Sequence, residues 1–462
     1  MITLSTNQRW LAAIILAGQV LTTGVYADPT TDQIEALKQQ IQALTDKVDN
    51  LEQQHQAAAR TVNTNIPFIT AGATGFSLQS ADRDFILKLS GFAQVDARDF
   101  FNAAPGNKDA FTIRRMRAIA SGSVYHDFEY YLQTDFASGV TSSSTNDAFL
   151  QDAYVNVHHW DGFQLQIGKM KEPVSMEVLP LDQYLWFLER GFPTELAPNR
   201  DVGLKVHGIL GHGVLAYQAG VFNGVPDGGS GDAEVADNDK DAVGRVIVTP
   251  FKNTEIAPLR NFSFGIGSSY GLQSGTSTPT FATVARQTFF SYSNTVSETG
   301  QHLRLDPQAS YYWGPFCAYG EYAITDEKFK DSTAKLNRYA NFENKAWDVV
   351  ASCYLTGESN VFGVLPAVEH PFRFDLSTLG AFQLAARFGQ ISLDRGAFPY
   401  YAASTSAHGA TSWSVALNWY LNHNVKCILE FDDTTFDGGS RTPGNVTAHN
   451  ELALQGRLQF GF

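Results

Sequence analysis

From Phe85 to the last residue, apolar and polar positions alternate with a period of two almost throughout. The closing stretch NELALQGRLQFGF shows it best. Leu452, Leu454, Leu458, Phe460 and Phe462 fall on one face, and Glu451, Gln455, Arg457 and Gln459 on the other. WSVALNWYL repeats the pattern, with Trp413, Val415, Leu417, Trp419 and Leu421 on one side. Such strands belong to a soluble sandwich, with the apolar face inward, or to a membrane barrel, with the apolar face on lipid and the polar face on the bore. Periodicity alone does not separate the two.

The connections do. Tight turns fall at Tyr125-His126-Asp127, Trp160-Asp161-Gly162, Gly211-His212-Gly213, Trp313-Gly314-Pro315 and Asn422-His423-Asn424. Between them lie long polar loops, Asn223 to Asp241, Gln273 to Gly300, Thr325 to Asn344 and Asp437 to Asn450. One-short, one-long alternation is the rhythm of outer-membrane barrels. Aromatic residues gather at strand ends (Tyr311-Tyr312-Trp313, Tyr400-Tyr401, Trp419-Tyr420), as interfacial girdles require, and the last strand ends on Phe462. Together these predict an all-β, transmembrane antiparallel β-barrel of about sixteen strands over residues 85–462. One connection breaks the rhythm: Gly357 to Leu379 stands where a short turn belongs, yet is long and carries Pro366 and Pro371.

The first residues read as an export signal over 1–27. Arg9 precedes the apolar run LAAIILAGQVL, and Val25-Tyr26-Ala27 offers a cleavage site before Asp28. The apolar run is shorter than the ~20 residues of a spanning helix. Nothing later is long and apolar enough either, so a membrane form has to be a barrel. Residues 28–60 carry heptads, with Ile34, Ile41 and Val48 at a and Leu37, Leu44 and Leu51 at d. From Ile34 to Leu51, at 1.5 Å per residue, the heptads span roughly 27 Å. That is too short for a stable lone helix, and the strict spacing favours a partner helix from another subunit over packing on the same chain. We read it as a short periplasmic coiled-coil oligomerisation helix, joined to the barrel by a linker at 61–84.

The largest interruption lies between LQDAYVNVHHW, FQLQIGKMK and the following DVGLKVHG. Residues 172–200 form a loop rich in aromatic residues and prolines, and loops of that length are usually functional or disordered. Trp186, Phe187, Leu188 and Phe192 argue against disorder. In the alternation it follows the fifth strand on the long-loop side, so it is expected to fold inward and narrow the bore.

Composition removes other classes. Charged residues make up 17% and the formal charge is −14, which gives no reason to expect nucleic-acid binding. Cys317, Cys353 and Cys427 have no metal-ligand spacing, and fit small apolar positions on packed faces better. The histidines scatter over turns and strand ends without a serine motif, so a barrel enzyme is not expected. Neither a cofactor nor a metal is implied.

Several strings resemble the phosphate-selective porin O and P family. They are GFSLQSADRDFILKLSGFAQVDARDFF (Gly75 to Phe101), FTIRRMR (Phe111 to Arg117), LQDAYV at Leu150, GPFCAYGEY at Gly314, YLTGES at Tyr354 and the closing strand. The resemblance implies a homotrimeric sixteen-stranded channel in the outer membrane of a Gram-negative bacterium. Its bore is lined by arginines and lysines and narrowed by the third loop, and it passes small anions such as phosphate. It also implies contact with outer-membrane lipid and lipopolysaccharide, and with the barrel-insertion machinery through Phe462.

Arg114 and Arg115 match the family's arginine pair. Alternation puts Arg115 and Arg117 on one face, so one of the three basic residues must sit differently. The alternative is a set of surface arginines on lipopolysaccharide. Arg190 matches the constriction arginine, with Glu189 orienting it or partly cancelling its charge. Lys169 and Lys171 are accessory cations or, equally, solvated loop-base lysines. Asp152, on a polar face with Asn156 and His158, resembles the family's pore aspartate, and Arg200 and Lys205 follow the loop. The loop also carries Glu177, Asp182, Glu189 and Glu195 against the single Arg190. That leaves a phosphate-selective channel, a non-selective general porin and a plugged binding barrel as readings of one fold.

Overall fold

The computed structural model describes residues 42, 44–48, 66–101, 109–137, 150–231, 238–276, 278–333, 338–438 and 450–462. Gln42 and Leu44–Val48 are helical, with Leu44 and Val48 exposed; residues 1–41, which include the stretch read as an export signal, and the remaining heptad positions lie outside the described residues.

The segment expected as linker contains a hairpin, β1 (Phe68–Gly72) and β2 (Gly75–Gln79). Gly75 has φ +96°, and a Cβ there would stand 2.2 Å from the Leu89 carbonyl oxygen, so only glycine fits this turn. The barrel strands begin with β3 (Phe85–Phe100), β4 (Ala110–Val124), β5 (Phe128–Asp135), β6 (Leu150–Trp160), β7 (Phe163–Lys171) and β8 (Arg200–Leu210). Next come β9 (Leu215–Phe222), β10 (Asp241–Val248) and β11 (Phe262–Thr276), then a small hairpin, β12 (Thr280–Ala282) and β13 (Thr288–Ser291), outside the barrel wall. The wall resumes with β14 (Val296–Trp313), β15 (Phe316–Asp331), β16 (Arg338–Tyr354) and β17 (Ala381–Ser392). It ends with β18 (Gly409–Tyr420), β19 (Val425–Asp437) and β20 (Asn450–Gly461).

Each wall strand pairs antiparallel with the next, and β20 closes on β3 from Ala453↔Phe100 to Gly461↔Phe92, giving sixteen strands without a free edge. Phe462 locks the seam. Its N–H donates to the Gly91 carbonyl, its own carbonyl accepts from Gly91, and its ring meets Phe76 of the hairpin.

The two faces of the wall are as the alternation predicts. Leu454, Leu458 and Phe460 are exposed outward while Glu451, Gln455, Arg457 and Gln459 are buried in the bore. Loop bounds differ at Gln273–Gly300 and Thr325–Asn344, where strands run further than apolar content suggests. In β15, Thr325, Glu327, Phe329 and Asp331 keep the inward parity after the outward positions have turned polar. There the strand has left the apolar layer, and polar outward side chains then meet water at no cost.

The bore is heavily filled. One apolar cluster joins Phe192 and Leu196 of the long loop to Phe281, Phe289 and Phe290 of the small hairpin and to Phe329, Phe342 and Ile391 of the wall. A second joins Met176, Trp186, Phe187 and Leu188 to Tyr319, Val350 and Ile428. The long connection on the short-turn side contributes to it. Asn360 donates its backbone N–H to the Gly314 carbonyl and its side-chain amide to Ser352 Oγ at 2.6 Å. That raises Phe362 to within 4.2 Å of the Tyr319 ring and 5.4 Å of Trp186, centroid to centroid. So the start of this connection supports the long loop.

The loop lies so close to the wall that one strand position is restricted to glycine. A Cβ on Gly267 of β11 would stand 2.1 Å from the Val174 carbonyl oxygen. Gly267→Ala is therefore expected to push the start of the loop off the wall and cost about 1–3 kcal/mol. Gly244→Ala, where the nearest atom is 3.8 Å away, should be close to neutral. The temperature at which the folded, fast-migrating band is lost on a detergent gel measures both.

Candidate functional site

The basic strand β4 does what simple alternation forbids. Its pairing with β3 runs Val95↔Ile113 and then Gln94↔Arg115, leaving Arg114 without a partner residue. A bulge of this kind resets the inward–outward phase. Thr112 and Arg114 face inward before it, Arg115 and Arg117 after it, while Phe111, Ile113 and Met116 stay on the outer surface. All three arginines thus share the bore, and none has to sit at the strand end.

Opposite them stand the acids of the loop. Glu189 accepts from Arg114 Nε at 2.6 Å and from Arg115 at 3.1 Å. Arg98, Arg286 and Arg457 lie 3.3, 3.7 and 3.6 Å from the same carboxylate. Asp182 is held by Arg117, by Arg115 at 3.2 Å and by Arg190 at 2.5 Å. Glu189 therefore does not orient Arg190. Arg190 turns back on its own loop, donating to the carbonyls of Glu177 and Pro180 as well as to Asp182. These acids act as pins: each carboxylate fastens the loop to guanidinium groups held inside the bore.

The neighbouring stretch of wall, β17 to β20, holds the loop by its backbone. Arg457 donates to the Leu188 carbonyl and Arg387 to that of Glu189. Lys426 caps the Leu185 carbonyl and Asn418 that of Trp186. The Glu430 carboxylate accepts from the Leu188 N–H. Alternation does place Arg457 on the bore face. Nothing in sequence spacing, however, says which backbone groups these side chains would meet from 198 residues or more away.

Between β4–β8, the loop, the connection after β9 and the small hairpin lies a polar cavity of about 740 Å³. Seven cations line it, Arg114, Arg115, Arg117, Lys169, Arg190, Arg200 and Arg286, against five acids, Asp135, Asp182, Glu189, Glu195 and Asp227. Arg286 was not legible in the sequence; it sits in a loop without a motif and is the most exposed cation of Glu189's cluster.

The remaining expected residues stand apart from the cavity. Asp152 pairs with Arg200 at 3.1 Å. Lys205 contacts Gln218 on the wall. Lys171 Nζ is enclosed by the carbonyls of Val178, Leu179 and Pro180, so it closes the loop base rather than standing in solvent. On the loop, burial pushes the Glu195 carboxyl up to about 7, against the Ala282 N–H donated to it.

A closed sixteen-stranded antiparallel barrel with an apolar belt, a polar bore and a loop packed across it is the architecture of an outer-membrane porin. The chain belongs to the phosphate-selective porin O and P family, whose sequence model matches residues 87–462. It is accordingly an outer-membrane protein of the Gram-negative type, and its family and fold are those of a channel.

Among solved structures it is similar to the outer membrane channel DcaP of Acinetobacter baumannii, with 10% identity, 85% of this chain and 100% of that one covered, and a TM-score of 0.53. An anion-selective porin from Comamonas acidovorans aligns at 11% identity over 81% and 99% of the two chains, with a TM-score of 0.49. The trimer form of OmpT from Vibrio cholerae aligns at 10% identity over 81% and 99%, with a TM-score of 0.49. No curated protein sequence matches the chain significantly.

Proposed function

We propose that the channel passes small hydrophilic solutes with a preference for anions, oxyanions such as phosphate among them. The observation that carries this is the cation excess of the cavity together with the engagement of its acids. Asp182 and Glu189 are each shared among several guanidinium groups, and Asp227 is bound by Arg304. The acids that made the loop look unselective are therefore largely neutralised where they stand. Arg114, Arg190 and Arg286, the cations with some solvent access, are the groups that an oxyanion would meet. Guanidinium forks suit such oxygens, and passage needs contacts that are strong enough to admit the ion and weak enough to release it.

The reversal potential of the purified channel in a potassium chloride gradient tests the reading. It is expected to take the anion-selective sign, with added phosphate reducing the chloride current; a cation-selective sign would rule the proposal out. Arg286→Ala should weaken the preference. So should a rise in pH through about 7, as Glu195 ionises and adds a negative charge to the cavity.

In the same reading the heptads over Ile34 to Leu51 assemble the chain with copies of itself, as a homotrimer. Residues 1–27 direct export, and Phe462 serves insertion. A peptide of Asp28 to Arg60 that stayed random coil at high concentration would remove the heptads from that account.

A further inference from the structure

A second polar cluster stands apart from the arginines on β4. His302 of β14 is completely buried. Its Nε2 lies 3.1 Å from Asp227 Oδ1, on the connection after β9, and 3.4 Å from Glu327 Oε1 of β15. A tetrahedral ion with bonds of about 2.0–2.1 Å separates its ligands by roughly 3.3 Å. The spacing thus fits a metal site as well as the hydrogen bond that His302 and Asp227 make without an ion. One donor atom from each of the three residues lies within 4.8 Å of the others.

The polar accounting points the same way. Both oxygens of Glu327 and Oδ2 of Asp227 are buried with no hydrogen-bond partner among the described residues. Buried carboxylates left in that state are costly unless a cation reaches them. Glu298 Oε1 lies 2.6 Å from His302 Nδ1, off the hydrogen-bonding direction, on the side of the ring away from Asp227. A carboxylate on that side of the ring is placed to take the Nδ1 proton's hydrogen bond when the imidazole binds a metal through Nε2. Arg304, which donates to Asp227 Oδ1 at 2.6 Å and reaches Asp241 at 3.4 Å, is the one permanent cation among these groups. A dication would bring the cluster close to neutrality.

We propose that Asp227, His302 and Glu327 bind a divalent transition-metal ion of the Zn²⁺ class, with Glu298 positioning the imidazole. One nitrogen and few oxygens suit Zn²⁺ far better than Ca²⁺, which takes six to eight oxygens. Gly228, Gly229 and Ser230, next to Asp227, line the cationic cavity. The ion thus ties the connection after β9 to β14 and β15 and fixes one wall of that cavity. Nothing along the chain points to it, since His302 has no neighbouring ligand motif and Asp227 is brought to it only by the fold.

The test uses the full chain in detergent, stripped with chelator and dialysed against Zn²⁺. One tightly held ion per chain is expected. Glu298→Gln should weaken it on the order of 10–100-fold, and His302→Gln and Glu327→Gln by more. Equal binding by all forms would place the metal on other histidines and overturn the proposal. No binding by the native protein would overturn it too, leaving a proton shared between Asp227 and Glu327. Should the variants fail to fold, crystals of native protein soaked in Zn²⁺ decide by anomalous scattering: a peak beside His302 Nε2 supports the site, and its absence removes it.

Discussion

Replacing Glu189 by glutamine is expected to loosen the inward loop and, at the same time, to make the channel more anion-selective. The carboxylate is the common partner of Arg98, Arg114, Arg115, Arg286 and Arg457, all within 3.7 Å. Glutamine keeps the shape and the hydrogen-bonding oxygen but removes the charge that makes it favourable to gather these guanidinium groups. Breaking a buried ion pair from one side costs about 3–5 kcal/mol, because the surviving charge is left without compensation. The same change adds one uncompensated positive charge beside the cavity, so the reversal potential should move further towards the chloride value. Loss of stability with a gain in selectivity is the distinguishing combination. Glu255→Gln is the control: its carboxylate pairs with Arg260 at 3.6 Å in full contact with solvent, where screening leaves an ion pair worth little. If Glu189→Gln unfolded at the native temperature, the loop would have to be held mainly by the wall side chains that bind its carbonyls.

Trp186→Ala is the second large effect. The ring is buried between Tyr319, at 5.6 Å, and Phe362, at 5.4 Å, and the backbone carbonyl is fixed by Asn418. Truncating a buried tryptophan costs about 3–5 kcal/mol, and the surroundings recover little of it when they are themselves pinned. Here the void opens inside the bore, between the loop and the connection that supports it. Conductance is therefore expected to rise as stability falls. Phe362→Ala should act in the same direction, and the double variant should show a coupling of about 0.5–3 kcal/mol if the two rings support each other. Strict additivity would mean that the short-side connection packs beside the loop without bearing on it.

Much of this architecture was legible because a barrel wall writes itself into the chain residue by residue. Each side chain of β20 meets either lipid or bore, so its polarity reports its direction. The bounds of β6, β7 and β8 followed from that, and so did the inward loop after β7, whose apolar content needs a buried surface to rest on. The signal weakened where strands leave the apolar layer, as at Thr325–Asp331, because both faces are then polar. It weakened too at Phe68–Gln79, where a short hairpin looks like a linker until it finds β3 to pair with.

The site was harder. The arginines of FTIRRMR were visible as a cluster, but alternation alone assigned them to two faces, since a one-residue bulge leaves no mark in hydropathy. The acids of the loop were visible as a count. Counted, they oppose the single Arg190; placed, they meet Arg98, Arg114, Arg115, Arg117 and Arg457, which arrive from both ends of the chain. Sequence distance carries no information about such pairings, and electrostatic sign depends on which charges stand within a few ångströms.

The sequence by itself determined the barrel, its outer and inner faces, the place of the long loop and the presence of basic residues on β4. It could do so because each of these follows from local alternation and connection length. Only the tertiary structure decided that Arg114 joins Arg115 and Arg117 in the bore, that Glu189 and Asp182 are fastenings rather than free charges, and that Phe362 rises beneath Trp186. Those are contacts between segments far apart in the chain, and closure of the barrel is what brings them together.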